Sequence, residues 1–88
     1  AMGLIVAPLE STRRGGAEFG VVVQQVQPGS PAAEAGLQAG DVITQLAFSD
    51  IKSMADYARI VKGLPKIEPQ PVRFFRQNRS IFRSVIIR

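Results

Sequence analysis

The stretch Gly20–Ile43, GVVVQQVQPGSPAAEAGLQAGDVI, decides the fold of this chain. Its first part, Gly20–Val26, is rich in β-branched residues and predicts a strand. The Pro28-Gly29 pair that follows is typical of a turn. A short helix and a second turn then lead to Val42-Ile43, the predicted start of another strand. The stretch therefore predicts a strand, a helix and a strand joined by two tight turns.

The predicted helix carries signals at both of its ends. Ser30 can cap the N-terminus, because its hydroxyl can accept a backbone N–H that the first turn leaves free. Pro31 suits the first helical position, where no N–H is needed. Gly36 is expected to end the helix in the left-handed conformation that glycine adopts at low cost. Gly40 supplies a second turn of the same kind.

The run PGSPAAEAGLQAGDVI, residues 28–43, resembles the core signature of PDZ domains. It is most similar to the bacterial form that follows the protease domain in the HtrA/Deg family of periplasmic serine proteases. The resemblance implies an α+β chain with a PDZ fold. That fold is a small, partly open antiparallel barrel or sandwich of five or six strands with two helices, in the circularly permuted strand order of bacterial PDZ domains. PDZ domains of site-2 metalloproteases and of C-terminal processing proteases carry related sequences, which leaves those parents as alternatives.

The length and composition limit what the chain can do. Its 88 residues fit one domain, and we expect a single PDZ domain over residues 1–88, with Ala1, and as a candidate also Met2, derived from an expression vector. The chain has no cysteine and no histidine, which excludes a zinc site of the thiolate or imidazole type and a Ser-His-Asp triad. We therefore predict no catalytic residue, metal or cofactor in these residues. The resemblance implies a trypsin-like serine endopeptidase as the parent.

The net charge of +4 is unevenly distributed, with eight basic residues and one acid from residue 59 onward. One interpretation is an anionic partner, such as nucleic acid or a phospholipid surface. The other is a pair of strands whose basic side chains face solvent. The second is favoured, because the bases are spread out and no stacking aromatics alternate with them. No apolar run reaches the roughly 18 residues of a membrane span. We predict neither a nucleic-acid partner nor membrane insertion.

The segment Gly3–Leu9 reads as an apolar strand, and the resemblance gives its start a function. In PDZ domains a hydrophobic-Gly-hydrophobic loop presents backbone N–H groups to the terminal carboxylate of a peptide. The resemblance places this loop at Met2, Gly3, Leu4 and Ile5; the alternative is an ordinary strand that begins with glycine. Pro8 lacks an N–H, so it is tolerated at a sheet edge but ends pairing with an added strand.

A second helix is predicted from Ser53 to about Lys62, where Ser53 and Asp56 have the spacing of a capping box and Gly63 ends the helix. Helical spacing divides its apolar residues between two adjacent sides. One side comprises Tyr57, Ile60 and Leu64, and the other comprises Met54, Ala58 and Val61. The resemblance places the second set, together with Val6, around a peptide groove with an apolar pocket for a terminal Val, Leu, Ile or Ala. The alternative is that all six side chains belong to the core.

The remaining segments complete the predicted sheet. We expect a surface connection over Glu10–Phe19, a strand over Asp41–Phe48, a loop over Lys66–Gln70, and strands over Val72–Arg76 and Ile81–Ile87. Alternation along the strand at Val72 places Phe75 on the face opposite Val72 and Phe74.

The resemblance implies a peptide-binding module that recognises C-terminal or extended hydrophobic peptides by strand addition. The resemblance implies that it recruits unfolded substrates to an HtrA/Deg-like protease in the periplasm. An assembly domain with little peptide binding, which contacts other domains or subunits of the parent oligomer, is the alternative.

Overall fold

The computed structural model describes residues 2–9 and 17–87, and over these residues the chain forms six strands and two helices. In chain order they are β1 Leu4–Pro8, β2 Val21–Val26, α1 Pro31–Glu34, β3 Val42–Leu46, β4 Ser49–Asp50, α2 Met54–Lys62, β5 Pro69–Arg76 and β6 Arg79–Ile86. The predicted class, an antiparallel α+β domain with two helices, is confirmed. The expectations for Ala1 and for most of Glu10–Phe19 lie outside the described residues.

All strand pairs in the sheet are antiparallel. The strand order is β1-β2-β3-β5-β6, and β4 pairs with β3 beside this path. Within residues 2–9 and 17–87, strand β1 therefore pairs along one edge only and leaves the other edge free. Helix α2 lies beside β1, whereas α1 lies against β6. The buried core is formed mainly by valine, leucine and isoleucine side chains of the strands, with Phe74 as its largest member. No helix in the described part of the chain is long and apolar enough to cross a membrane.

The first helix forms as its cap residues predict. The hydroxyl of Ser30 accepts the N–H of Ala33 at 3.2 Å, and Pro31 is the first helical residue. Gly36 follows the helix with φ +87°, the left-handed conformation that favours glycine. Leu37 is then buried, at 4% exposure. The single turn of α1 is thus held by local interactions at its start and by apolar packing just beyond its end.

The second helix also begins and ends where the sequence predicts. The Ser53 hydroxyl accepts the N–H of Asp56 at 3.1 Å. The Asp56 carboxylate accepts the N–H of Lys52 at 3.1 Å, so the return bond of this capping arrangement reaches one residue further back than in a standard capping box. A hydrogen bond from Arg59, and after it the one from the Lys52 backbone, lowers the pKa of Asp56. The helix start is therefore stabilised by a carboxylate that stays ionised.

Three strand boundaries differ from the prediction by two or three residues, and the others by at most one. Strand β5 begins at Pro69, inside the predicted loop, because its first residues pair with the end of β6, from Pro69 opposite Ile86 onward. The carbonyl of Pro71 accepts the N–H of Ala47. Because the nitrogen and the carbonyl of one residue face the same side of an antiparallel strand, the Pro71 nitrogen also faces β3. Its missing N–H therefore removes no hydrogen bond to β6. Strand β6 begins at Arg79, after a two-residue turn with φ +51° and +67°, which suits a tight hairpin. Strand β3 ends at Leu46, because the next two residues form another such turn.

An ion pair between a buried carboxylate and a partly exposed arginine joins the turn after α1 to strand β5. Asp41 is 1% exposed, and both of its carboxylate oxygens accept hydrogen bonds from Arg76 at 2.8 Å. The same carboxylate accepts the N–H of Gln38 at 2.8 Å, and Arg76 also donates to the Gly36 carbonyl at 2.9 Å. The hydrogen bonds to Asp41 raise the pKa of Arg76. This bidentate geometry fixes the positions of two segments that are 35 residues apart in sequence.

Two other basic residues of the last two strands, the half-buried Arg73 and the exposed Arg83, are held by aromatic and backbone contacts. Arg73 stacks on the ring of Phe82 at 4.2 Å, and Arg83 donates to the Phe82 carbonyl at 2.8 Å. Their environment is that of a strand pair at the surface.

Replacing Arg76 with methionine should destabilise the domain strongly, because the buried Asp41 carboxylate would lose its charge partner. We expect the free energy of unfolding, measured with urea, to fall by about 3 kcal/mol, near the lower end of the range for breaking a buried pair. The matched change Arg79→Met, at an exposed position, should alter it by less than about 0.5 kcal/mol. Adding Asp41→Asn to Arg76→Met should recover part of the loss. Equal effects of the two arginine changes would contradict this role.

Candidate functional site

A groove runs between β1 and α2 and contains two cavities, one at each end of β1. The first cavity has a volume of about 500 Å³ and is lined by Met2, Gly3, Leu4, Ile5, Gln25, Gln27, Tyr57 and Val61. The second cavity has a volume of about 490 Å³ and is lined by Pro8, Leu9, Glu18, Phe19, Gly20, Lys52, Ser53, Met54 and Ala55. The same strand and the same helix therefore supply walls to both cavities.

The loop at the first cavity depends on Gly3. Gly3 has φ +79°, and a Cβ there would collide with the Cβ of Ser30. The carbonyls of Met2 and of Gly3 itself are both held by hydrogen bonds. The Met2 carbonyl accepts the N–H of Ala32 at 3.1 Å, and the Gly3 carbonyl accepts the N–H of Gln27 at 2.8 Å. The start of β1 is thus seated directly on the first turn of α1, where only glycine fits.

The hydrogen-bonding direction of β1 follows from these contacts. Because the Gly3 carbonyl faces β2, the alternation of an antiparallel ladder turns the N–H and C=O of Leu4 toward the free edge. The register with β2 shifts between Ile5 and Val6, which is the signature of a β-bulge. The free edge of β1 therefore begins at Leu4, beside the first cavity, and faces the groove under α2.

The structure brings together all four residues predicted for the carboxylate loop. Met2, Gly3, Leu4 and Ile5 all line the first cavity. Met2 is 1% exposed and belongs to the core, whereas Ile5 is 53% exposed.

The residues predicted for the groove wall are distributed differently from the expectation. Val61 lines the first cavity and Met54 lines the second. Val6 packs against the core and borders neither cavity. Ala58 is exposed and also borders neither, and the residue that faces the first cavity together with Val61 is Tyr57. Tyr57 and Val61 are four residues apart, which places them on one side of a helix.

Three residues of the first cavity were absent from the sequence prediction: Tyr57, Gln25 and Gln27. Tyr57 could have been predicted at the cavity, because an aromatic ring with a polar tip suits the border between a core and a solvated groove. Gln25 carried a weaker signal, since it is a polar residue in an otherwise valine-rich strand, and Gln27 directly follows that strand. The two amide side chains give the cavity polar groups besides the backbone.

The first cavity is electrically neutral along the walls that the structure describes. None of its described lining residues carries a charged side chain. Burial raises the pKa of Tyr57 above its ordinary value of 10.0, so its phenol stays protonated and remains a hydrogen-bond donor. The arrangement suits an apolar side chain beside a group that accepts hydrogen bonds from backbone, amide and phenol donors.

Comparison with known proteins agrees with this geometry. The family model for the PDZ domain matches residues 22–66. A probable periplasmic serine endoprotease of the DegP-like type from Marinomonas sp. is 40% identical over 83 residues, which cover 92% of this chain and 18% of that protein. A protein with the same description from Pseudomonas fluorescens is 48% identical over 63 residues, which cover 72% of this chain and 13% of that protein. The chain thus spans less than a fifth of the length of these relatives.

Two solved structures share the fold. The PDZ domain of HtrA3, bound to a phage-derived ligand of sequence FGRWV, has a TM-score of 0.81 at 20% identity, and the match covers 98% of this chain and 82% of that one. The HtrA-type protease AlgW, solved with a decapeptide, has a TM-score of 0.86 at 21% identity, over 98% of this chain and 28% of that one. Together with the family match, these findings show that the chain belongs to the PDZ domain family, with DegP-like periplasmic serine endoproteases among its relatives.

Proposed function

We propose that this domain binds C-terminal or extended hydrophobic peptides by strand addition at the free edge of β1. The observation that carries the proposal is the position of the first cavity, which lies where that edge begins and under the Tyr57–Val61 side of α2. A peptide in the groove would pair with the β1 backbone and insert its last side chain against Val61 and Tyr57. We further propose that the parent is a periplasmic serine endoprotease of the HtrA/Deg type, to which the domain delivers substrates.

The terminal carboxylate would lie at the Met2-Gly3-Leu4-Ile5 loop. The free N–H of Leu4 and the amide groups of Gln25 and Gln27 would offset the cost of removing the carboxylate from water. Ligands of the structural relatives support this choice, because the HtrA3 PDZ domain was solved with a peptide that ends in valine and AlgW with a decapeptide. An interface of this size is expected to give affinities on the order of micromolar.

A second candidate is an assembly domain that contacts other parts of the parent oligomer. The observation in its favour is the exposure of Phe82 (49%) and Ile86 (44%) on edge strand β6, at positions of the same parity. These apolar side chains lie on the strand farthest from the groove in the sheet order. The two candidates differ in whether a free peptide carboxylate has any effect.

A pentapeptide that ends in valine should bind more tightly as the free acid than as the C-terminal amide. We expect the amide to bind at least about tenfold more weakly, because charge-assisted hydrogen bonds to the loop contribute roughly 1.5–3 kcal/mol. Isothermal titration calorimetry with the two forms measures the difference. Failure of both forms to bind would contradict peptide recognition and favour the assembly candidate.

Glutamine at position 61 should impair binding, whereas glutamine at position 58 should not. Val61→Gln places a polar amide in the apolar wall of the first cavity and should weaken binding of the valine-ended peptide by about tenfold. Ala58→Gln introduces the same side chain at an exposed site that borders neither cavity and should change affinity by less than twofold. Thermal unfolding of both variants controls for stability. A larger loss from Ala58→Gln would place the pocket wall at Ala58, as the sequence predicts.

The single tyrosine of the chain should report on the state of the cavity. Because burial raises the pKa of Tyr57 in the folded domain, the phenolate absorbance should appear above pH 10 in the native protein and near pH 10 in urea. The raised pKa of Tyr57 also contributes to the free energy of unfolding. This contribution is complete below about pH 10 and is lost as the pH rises through the pKa of the folded state. Saturation with the valine-ended peptide should move the native titration higher still. An unchanged titration with bound peptide would place the ligand away from Tyr57.

A further inference from the structure

We propose that the outer face of the β5–β6 hairpin is a second interaction surface, which binds a protein segment that carries carboxylates beside apolar side chains. Strand β6 stands at the opposite end of the strand order from β1, so this surface is separate from the peptide groove. The inference therefore does not depend on peptide binding at the groove. It assigns a chemical class of partner to the exposed apolar side chains of β6.

Alternation along the two strands defines which side chains lie on this outer face. Val72 and Phe74 of β5 and Val85 of β6 are buried in the core, so the residues between them point away from it. The register places Arg73 opposite Phe82, and directly opposite residues share a face of the sheet. The larger side chains of the outer face are those of Pro71, Arg73, Phe75, Phe82 and Ile86.

Phe82 brings two arginines together on this surface. The Arg73 guanidinium lies 4.2 Å from the centre of the Phe82 ring. The carbonyls of Pro71 and Arg73 face β3, so in an antiparallel ladder the carbonyl of Phe82 faces away from β5. Arg83 donates to that carbonyl at 2.8 Å. One guanidinium therefore lies on the ring of Phe82, and the other lies at the outer edge of β6 beside the same residue.

The positive charge of these two arginines is not balanced by the acidic residues that the structure describes. The ion pairs within residues 2–9 and 17–87 use Arg59 and Arg76. Gln45, opposite Arg73 on β3, donates to the carboxylate of Asp50. The Nε of Arg73 is buried and has no hydrogen-bond partner among the described residues. An incoming carboxylate would therefore meet donors that no described acid already occupies.

The surroundings of Arg73 favour a carboxylate that comes with apolar neighbours. A guanidinium stacked on a ring is already ordered, and its planar fork matches a carboxylate. Pro71 and Phe75 lie two residues to either side of it on the same face. Apolar side chains of a partner that cover these residues would exclude water and strengthen the ion pair.

Two other kinds of partner fit this surface less well. A second copy of the chain would bring arginines against arginines, and like charges across an interface are unfavourable. A nucleic acid would use aromatic rings for stacking, but Arg73 already covers one side of the Phe82 ring. A protein segment that combines acidic and apolar side chains satisfies both the charge and the apolar character of the surface.

The test uses a fluorescein-labelled peptide that repeats Glu-Glu-Phe three times and is amidated at its C-terminus. Amidation removes the terminal carboxylate on which the groove proposal depends. Measured by fluorescence anisotropy, this peptide should bind at least about tenfold more tightly than the same peptide with glutamine in place of glutamate. The binding should weaken as NaCl rises from about 50 mM to about 300 mM, because salt screens the charges.

Matched variants test whether the binding depends on the arginines at Phe82. Arg73→Gln and Arg83→Gln should each weaken binding of the acidic peptide by roughly fivefold. Arg73→Lys keeps the charge but loses the planar fork, and it should weaken binding by more than about twofold. Arg79→Gln removes the same charge from an exposed position of the same strand and should change binding by less than about twofold. Thermal unfolding checks that each variant is folded.

The outcomes keep this inference separate from the proposed function. Equal losses from Arg79→Gln and Arg73→Gln, or equal binding of the glutamate and glutamine peptides, would show that the inference is wrong. Displacement of the acidic peptide by an excess of the valine-ended free acid would place it in the groove and would also overturn the inference. Tighter binding of a single-stranded DNA of equal charge would contradict a protein partner. The proposed function is decided by the free-acid and amide forms of the valine-ended peptide, whichever of these results is found.

Discussion

The close contact between Gly3 and Ser30 is the constraint on which the rest of the groove depends. A residue without a Cβ, in the left-handed conformation, lets the chain enter β1 directly over the first turn of α1. The Met2 carbonyl then accepts a helix N–H, and the Gly3 carbonyl accepts one from β2. These bonds orient the free edge of β1 toward α2, and both cavities lie along that edge. The segment that decides the fold thus also supports the binding loop from below.

A second anchor fixes the other side of this frame. The Asp41–Arg76 pair connects the turn after α1 to β5, with two hydrogen bonds of 2.8 Å in the bidentate geometry that arginine prefers. Because Asp41 also accepts the Gln38 N–H, the turn cannot shift without breaking the pair. Helix α1 is therefore fixed at its start by Gly3 and beyond its end by Arg76. The proposed binding loop therefore rests on a rigid support, which would lower the entropy that the loop itself loses when a peptide binds.

The sequence predicts what is decided locally and misses what depends on distant partners. The helix caps at Ser30 and Ser53 form as expected, because each needs only residues three positions away. The burial of Asp41 depends on Arg76 in β5. The sequence around Asp41 does not indicate that distant partner. The sequence predicts Ala58 at the peptide groove, whereas the structure places Tyr57 at the first cavity, and this difference has a similar cause. Adjacent helix positions differ by about 100° in direction, and only packing against β1 fixes that rotation.

Pro8 has a consequence for the behaviour of the domain in a crowded compartment. An unpaired strand edge can recruit any extended chain, including another copy of the same domain, and long flat edges promote aggregation. By ending the hydrogen-bonding row after a few residues, Pro8 limits how much an unrelated strand can gain from the backbone alone. Ligands that also carry suitable side chains would retain an advantage. If the domain binds peptides at this edge as proposed, Pro8 would thereby limit its tendency to promote their coaggregation.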